Sequence, residues 1–261
     1  MTASLSGLTV VVTRPERQAR ELIARLSAAG ASVVEFPALA IEPVTLSAHD
    51  RGRLAPDSYD WTIYTSTNAV EQSLLQLKRP VQTRIAAIGN ATARALRGQG
   101  FEVRAVPQHR ANSEGLLELP EFSNVEGLRV LVLRGVGGRD TLRTRLLAGG
   151  ARVTVGELYR RVGVVPTAGA VAGLRAAVDP GSQTVVAVTS VDVLDSLLRG
   201  VPDELLPALL RAPLVLPGDR VAAAAHERGW NGPLAVAASA EDEAMVDALV
   251  AWHGTGARGT A

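Results

Sequence analysis

Short apolar runs alternate with stretches of helical periodicity along the whole chain. Leu8–Thr13 is β-branched and apolar, which is typical of a buried strand. Pro15 opens a stretch with apolar residues at helical spacing, and Gly30 ends it. The same order recurs at five further apolar runs: Trp61–Thr65, Ile85–Ile88, Arg129–Leu133, Val185–Val188 and Leu214–Leu216. Strands separated by single helices predict right-handed crossovers and parallel sheets.

The spacing of these elements indicates an internal duplication. Residues 8–30 and 128–150 share one pattern, in which an arginine stands six positions after a leucine and a glycine sixteen positions after the arginine. A second segment is also repeated, since Thr65-Ser66 and Thr189-Ser190 each close a strand. The two segments, A and B, therefore follow each other in the order A, B, A′, B′.

A duplicated α/β segment predicts two similar lobes with parallel sheets of the flavodoxin or Rossmann-like type, the second lobe inserted into the first. We assign residues 1–36 with 166–254 to lobe 1 and residues 45–152 to lobe 2. Residues 37–44 and 153–165 are predicted to form a two-stranded connector.

The connector prediction depends on two long apolar segments, Val33–Val44 and Val153–Val165, each expected to form one strand. Pro37 and Pro43 confine the first to a sheet edge or an exposed connection. Residues 255–261 are small and polar, and we expect a disordered tail there.

Composition excludes several classes of function. The chain has 261 residues, 47% of them apolar, and its 27 basic and 26 acidic residues argue against nucleic acid or a membrane surface as partner. Without cysteine and with four scattered histidines, no thiol chemistry and no metal site is expected. No apolar run is long enough to span a membrane, and we expect a cytoplasmic protein.

Polar residues cluster where the predicted strands end. In parallel α/β sheets ligands bind beyond the carboxyl ends of the strands, and helices that begin there present free N–H groups to anions. The candidate binding residues at these ends are Arg14, Thr65, Ser66, Asn68, Gly89, Asn90, Thr92, Arg134, Gly135, Arg139, Thr189, Ser190, Gly218 and Arg220. Two such lobes facing each other across a cleft would suit one large polyanion. Helix capping is the competing interpretation for each Ser, Thr and Asn.

Nucleotide motifs are absent from these loops. Gly135–Arg139 resembles a phosphate loop but has Asp140 where a dinucleotide site needs a third glycine. Neither a P-loop nor a Gly-x-Ser-x-Gly elbow occurs in the chain. Since 26 of the 27 basic residues are arginine, an anion site here would be built from guanidinium groups, which suit carboxylates.

Six motifs follow one another in a fairly specific order and spacing: Val10–Pro15, Tyr59–Val70, Ala87–Ala93, Leu131–Arg139, Leu158–Arg161 and Val188–Ser190. Together they resemble those of the uroporphyrinogen-III synthase family, and the resemblance runs from Leu8 to Trp252. It implies two α/β lobes joined by a two-stranded connector. It also implies a substrate, hydroxymethylbilane, with eight carboxylates, which loses its terminal hydroxyl as water while the macrocycle closes and ring D inverts. No metal or organic cofactor is implied.

The resemblance also implies roles for single residues. Tyr159 matches the tyrosine implicated in protonating the leaving hydroxyl, although packing is an equal alternative for it. Ser66, Thr92 and Ser190 match positions that hold carboxylates or line the cleft. The family's Gly-x-Thr-Thr-Ala is replaced by Gly218–Ala222, which makes Arg220 a candidate substitute for the lost hydroxyls.

Arg14 and Arg134 are equivalent in the duplication, and on the functional interpretation they attract substrate carboxylates. Neutralising helix or sheet ends is the structural alternative for both arginines.

Two other classes of function stay open at this point. One is a non-catalytic two-lobe tetrapyrrole or anion sensor, and the other, weaker, is a solute-binding protein. The synthase interpretation predicts a monomer that takes a linear tetrapyrrole polycarboxylate as substrate and makes transient contact with the upstream hydroxymethylbilane synthase. Isomer-resolved product analysis separates it from both alternatives.

Overall fold

A computed structural model describes residues 5–108, 110, 112–179 and 181–255. Its strands are β1 (Thr9–Val12), β2 (Ser32–Glu35), β3 (Leu39–Pro43), β4 (Trp61–Tyr64), β5 (Arg84–Ala87), β6 (Arg129–Gly135), β7 (Arg152–Gly163), β8 (Thr184–Ala187), β9 (Leu214–Pro217) and β10 (Leu234–Ala237). Its α-helices are α1 (Glu16–Ala28), α2 (Ala48–Arg53), α3 (Thr67–Gln76), α4 (Asn90–Gly98), α5 (Ser113–Leu117), α6 (Thr141–Ala148), α7 (Ala168–Ala177), α8 (Val191–Gly200), α9 (Leu206–Leu209), α10 (Gly218–Glu227) and α11 (Asp242–Gly254).

The chain divides into two compact units. Unit 1 comprises the described residues of Met1–Ala40 and Val162–Ala261, and unit 2 comprises those of Ile41–Arg161. Of the tail predicted at 255–261, Thr255 caps the end of α11. Residues 256–261 lie outside the described part of the chain.

Unit 1 is built on a parallel sheet in the order β10-β9-β8-β1-β2. Counted within the unit, this is the order 2-1-3-4-5 of flavodoxin-like folds. Side chains alternate across the sheet, so that Val11 packs into one hydrophobic cluster while Val10 and Val12 pack into another on the opposite face. Because both faces are covered, the strands are apolar almost throughout, which is why they are readable in the sequence.

Unit 2 has the sheet order β3-β7-β6-β4-β5, in which β7, β6, β4 and β5 are parallel. A parallel bridge from Ala86 to Ala105 extends this sheet beyond β5, as β10 extends the sheet of unit 1 beyond β9. Each unit therefore combines one copy of segment A with one copy of segment B. The predicted pair of similar parallel α/β lobes is confirmed.

The strand predicted at Val33–Val44 is wrong as one element, because β2 and β3 are separate. The N–H groups of Phe36 and Ala38 still donate to the carbonyls of Val12 and Thr13, at 2.9 and 3.0 Å. Pro37 between them has no N–H to donate.

Beyond this break the chain pairs with β7 instead of β1. Val44 N donates to Leu158 O at 2.9 Å, and Val164 N donates to Ala38 O at 3.1 Å, a pattern that runs antiparallel. The companion prediction, Val153–Val165, corresponds to the continuous strand β7.

Candidate active site

In unit 2 the predicted binding residues follow the carboxyl ends of three neighbouring strands. Thr65, Ser66 and Asn68 come after β4, at the start of α3. Residues 89–92, which include Gly89, Asn90 and Thr92, come after β5, at the start of α4. Arg134 and Gly135 end β6, and Arg139 lies in the loop before α6. The fold thus places all of these residues along one edge of one sheet.

In unit 1 the remaining predicted residues occupy the equivalent edge. Arg14 follows β1, Thr189 and Ser190 follow β8, and Gly218 and Arg220 begin α10 after β9. Gly218 has a φ of +69°, a left-handed conformation that favours glycine at this junction.

Two serines are equivalent helix caps. Ser66 Oγ accepts the N–H of Ala69 at 3.1 Å, and Ser190 Oγ accepts the N–H of Val193 at 3.2 Å. Each satisfies a backbone donor that the first turn of its helix cannot pair internally. Capping therefore accounts for both residue types, and any further role must come from additional contacts of the hydroxyl.

Ser66 makes such a contact, because its Oγ lies 2.9 Å from the hydroxyl of Tyr159. The sequence predicted both residues for the site but did not pair them. Tyr159 lies on β7, 93 positions along the chain from Ser66, and is only 1% exposed. The two hydroxyls lie within hydrogen-bonding distance of each other, so Ser66 can orient the Tyr159 hydroxyl, which is the candidate proton donor.

A β-bulge in β7 directs the side chain of Tyr159 towards Ser66. Along β6 and β7, Arg134 is opposite Glu157, but Gly135 is opposite Tyr159, so Leu158 is the extra residue. Leu158 and Tyr159 are consequently both buried, although neighbours on a regular strand point to opposite faces. Bulges that re-aim side chains are common next to active sites.

Gly135 provides the space for the tyrosine ring. A Cβ at this position would lie 2.7 Å from both Cε2 and Cζ of Tyr159, and 3.1 Å from its hydroxyl oxygen. Any side chain here must therefore displace the tyrosine ring from its present position. The glycine acts by leaving room, which differs from the backbone-anion contact that its loop position suggested.

Arg161 covers the tyrosine from another side. Its Nη2 donates to the Tyr159 hydroxyl at 3.4 Å, and its Cζ lies 5.7 Å from the centre of the ring. Sequence reasoning quoted this residue in a motif but gave it no role. The sequence did contain a signal for this contact. Arg161 stands two positions after Tyr159 on one predicted strand, and residues two apart on a strand share a face.

The equivalent arginines Arg14 and Arg134 are engaged within their own units. Arg14 forms an ion pair with Asp242 and donates to the carbonyl of Ala240. Arg134 binds Asp140 at 2.9 Å and Glu157 at 3.1 Å. Their side chains are only 11% and 14% exposed. Internal carboxylates and a carbonyl thus engage both guanidinium groups, as the structural alternative for these arginines expects, and a contact of either with substrate carboxylates stays a prediction.

Arg139 and Arg220 differ from that pair. Both are exposed, and within the described ranges neither side chain makes a hydrogen bond or ion pair. An exposed arginine without an internal partner is available to an anion. Of the remaining predicted positions, Gly89 and Thr92 are buried and Asn90 is exposed, whereas Thr65, Asn68 and Thr189 are half-buried. The hydroxyl of Thr65 donates to the carbonyl of Leu133 at 3.1 Å.

The Arg134 network borders a cavity of about 430 Å³ within unit 2. Its charged lining, which sequence reasoning missed apart from Arg134, comprises Asp50, Arg53, Arg134, Asp140, Arg143 and Glu157. Since acids and bases are balanced there, this cavity is a weaker candidate for a polyanion than the exposed arginines.

The described residues form neither a metal-binding cluster nor a membrane-spanning helix. No three His, Asp or Glu side chains in that part of the chain lie close enough together to hold a metal ion. None of its helices is long and apolar enough to cross a membrane.

The sequence is similar to uroporphyrinogen-III synthases over most of its length. The family model described as "Uroporphyrinogen-III synthase HemD" matches residues 20–247. The uroporphyrinogen-III synthase of Escherichia coli (strain K12) is 34% identical over 249 residues, which cover 93% of this chain and 100% of that one. The corresponding enzyme of Salmonella typhimurium is 35% identical over 253 residues, with the same coverage.

Solved structures share the fold. A mutant uroporphyrinogen III synthase from the extreme thermophile Thermus thermophilus aligns with a TM-score of 0.61 at 20% identity, covering 95% of this chain and 99% of that one. Uroporphyrinogen-III synthetase from Helicobacter pylori 26695 aligns with a TM-score of 0.63 at 18% identity, covering 93% and 98%.

Two parallel α/β units with polar strand ends define the class, a two-unit α/β protein. The chain belongs to the uroporphyrinogen-III synthase family, whose members are enzymes of tetrapyrrole biosynthesis. The resemblance predicted from its motifs is confirmed.

Proposed function

We propose that the chain converts hydroxymethylbilane into uroporphyrinogen III, with loss of the terminal hydroxyl as water and inversion of ring D. The observation that carries this proposal is the Tyr159 hydroxyl, held 2.9 Å from Ser66 Oγ at the carboxyl edge of the unit 2 sheet. Family membership over residues 20–247 supports the reaction class.

The reaction needs one proton from the protein, and its outcome depends mainly on how the protein positions the substrate. The pyrrole nitrogen lone pair expels the terminal hydroxyl and leaves an azafulvene cation. Tyr159 protonates the departing oxygen, so that water leaves and the phenolate remains. Ser66 keeps the hydroxyl in place, since its own oxygen is fixed by the N–H of Ala69.

Ring closure must then occur at the substituted carbon of ring D, through a spiro intermediate. The unaided bilane closes at the other position, so the protein's main task is to hold the substrate in a productive fold. Exposed Arg139 and Arg220, with the helix N-termini after β4, β5, β8 and β9, are proposed to bind its carboxylates.

The proposal also includes a monomer in the cytoplasm that receives its substrate through transient contact with the upstream hydroxymethylbilane synthase. Sedimentation analysis of the chain alone and mixed with that enzyme tests this part. A stable dimer of this chain alone would overturn it.

Product analysis tests the reaction. Freshly generated hydroxymethylbilane is incubated with the chain, and the products are oxidised and separated by isomer. We expect the III isomer to predominate well above a protein-free control. Isomer I alone, formed at the spontaneous rate, would overturn the proposal and favour a non-catalytic tetrapyrrole-binding protein.

A further inference from the structure

The guanidinium of Arg134 joins two backbone segments of unit 2. Its Nη2 donates to the carboxylate of Glu157, on β7, at 3.1 Å. Its Nη1 donates to the carbonyls of Gly138 and Arg139, at 2.9 and 3.2 Å, and to the carboxylate of Asp140 at 2.9 Å. One side chain, only 14% exposed, thus bonds both β7 and the loop that leads from β6 to α6.

Both attachments lie beside the β-bulge. Arg134 is opposite Glu157 in the ladder of β6 and β7. The next pair is Gly135 with Tyr159, because β7 has one extra residue between the two pairs. Beyond the bulge, the N–H of Val136 donates to the carbonyl of Tyr159 at 2.8 Å. The guanidinium therefore holds the last pair before the bulge and the loop directly after it.

The bulge competes with a regular register of the same two strands. A bulge leaves one residue unpaired and disrupts the ladder locally. Regular pairing would place Leu158, instead of Tyr159, opposite Gly135. A shift by one residue turns a side chain to the other face of the sheet, which would take the Tyr159 hydroxyl away from Ser66. Contacts that bridge the bulge therefore decide where the tyrosine points.

Arg134 is suited to this task. Its bonds to carboxylates are charge-assisted and about twice as strong as neutral hydrogen bonds. A planar guanidinium is pre-organised, so that little side-chain freedom is lost for each of its four bonds. We propose that Arg134 is a positioning residue, which holds the bulge in register and thereby keeps the Tyr159 hydroxyl on Ser66. Its effect on catalysis rests on the proposed function, whereas its effect on the register does not.

Amide hydrogen exchange, followed by NMR, measures the register without substrate. The amide of Val136 reports the bond to Tyr159 beyond the bulge. The amide of Thr65 is the internal reference, since it donates to the carbonyl of Leu133, before the bulge, at 3.1 Å. In Arg134→Ala we expect exchange at Val136 to become several-fold faster relative to Thr65, because the acceptor beyond the bulge is no longer fixed.

Arg228→Ala is the matched control. Arg228 also bonds a carboxylate, that of Asp195, and a carbonyl, that of Ala224 at 2.9 Å, but it belongs to unit 1. Its loss should leave the ratio of the two exchange rates unchanged. If Arg134→Ala changes this ratio no more than Arg228→Ala does, Arg134 does not hold the register and the proposal is overturned.

Steady-state kinetics test the consequence for Tyr159. Arg134→Ala should lower kcat several-fold with little change in the KM for hydroxymethylbilane, because the exposed side chain of Arg139 is not held by this network. In a Tyr159→Phe background it should cost no further kcat, since its effect runs through the tyrosine. Arg228→Ala should keep the wild-type kcat. If Arg134→Ala lowers kcat equally in both backgrounds, the tyrosine is not what it positions.

Variants of the network separate its attachment to β7 from its attachment to the loop. Glu157→Gln should lower kcat in the same way as Arg134→Ala but less. Asp140→Asn should have a smaller effect, because Arg134 keeps two loop carbonyls and the Asp140 side chain does not cap α6. Arg134→Lys should restore part of kcat, since it keeps the charge but not the planar fork.

A larger loss of kcat in Asp140→Asn than in Glu157→Gln would overturn the role of the attachment to β7. A wild type that makes no uroporphyrinogen III would overturn the proposed function instead, and the exchange rates would still decide whether Arg134 holds the register.

Discussion

The two units differ in the contacts of two equivalent serines, Ser66 in unit 2 and Ser190 in unit 1, each of which caps a helix. Ser66 and Ser190 have the same backbone conformation and the same capping bond. Only Ser66 also meets a tyrosine. Leu8, Arg14 and Gly30 stand 120 positions before Leu128, Arg134 and Gly150, so the counterpart of Tyr159 in unit 1 is Leu39.

The two copies of the duplication thus share a fold, while the candidate acid of the proposed function lies in unit 2 alone. In unit 1 the chain breaks after β2, and Leu39 is simply buried in the core. In unit 2 the strand runs on through β7, and its bulge places Tyr159 on the cap. The predictions below test whether activity depends on that local difference.

The largest effect is expected from closing the space beside the tyrosine. Gly135→Val would displace the ring from its present position, since even a Cβ lies 2.7 Å from ring atoms. We expect kcat to fall by about 10²-fold, more than loss of the hydroxyl alone would cause, because the displaced ring also disturbs the strand end where the substrate must be held, and stability to fall by about 1–3 kcal/mol. Steady-state assays measure kcat, and urea unfolding measures the stability.

Gly98→Ala is the matched control for that variant. Its Cβ would meet nothing within 4 Å, and α4 favours alanine over glycine. Activity should be retained and stability kept or raised. A Gly135→Val variant with normal kcat would show that the position of the ring does not matter.

Removing only the hydroxyl should have a smaller effect. Tyr159→Phe keeps the packing, so we expect a roughly tenfold loss of kcat with an unchanged fold, because the bilane loses hydroxide readily by itself. Tyr64→Phe, which removes a buried phenol in the same unit, should keep wild-type kcat. Equal rates for Tyr159→Phe and the wild type would return Tyr159 to a packing role.

Arginines should divide into two groups. Alanine at Arg14 or Arg134 removes a largely buried partner of internal carboxylates, and we expect a stability loss of about 1–3 kcal/mol. Alanine at exposed Arg139 or Arg220 should leave stability unchanged and raise KM several-fold, with a weaker dependence on salt. Urea unfolding and KM at two ionic strengths check both groups. The opposite division, with KM changing only at Arg14 and Arg134, would contradict the structural assignment.

The smallest effect concerns pH. The backbone N–H and side chain of Arg129 hold the pKa of Asp60 below its usual value, against the opposing effect of burial. A lowered pKa means that this stabilisation is complete above the unfolded-state value of about 3.9 and is lost as pH falls through the folded value.

We therefore expect Asp60→Asn to cost less than about 1 kcal/mol at neutral pH, since solvent screens the pair, and nothing once the pH lies below the folded-state pKa of Asp60. Urea unfolding across this range measures it. A cost that does not change with pH would exclude the ionised carboxylate as its source. The equivalent position in unit 1 is the uncharged Thr184, whose hydroxyl donates to the carbonyl of Ala177.

The sequence was sufficient to predict the buried central strands and the sheet edge, because strands buried on both faces are apolar runs, but it did not show the break between β2 and β3. It could not predict the contacts made there. The Ser66–Tyr159 contact depends on a bulge at Leu158, which no residue type marks. Arg14 meets Asp242 across 228 positions, so an ion pair and a substrate contact look the same in the sequence.

A double-mutant cycle on Ser66 and Tyr159 tests most directly whether these two hydroxyls act as one unit. Ser66→Ala and Ser190→Ala should each lose about 1 kcal/mol of stability through the cap, but only Ser66→Ala should lower kcat. Combined with Tyr159→Phe, the serine substitution should cost no further kcat, because its effect runs through the tyrosine. If the two losses of kcat multiply in the double variant, or if Ser190→Ala lowers kcat as much as Ser66→Ala, the account is wrong.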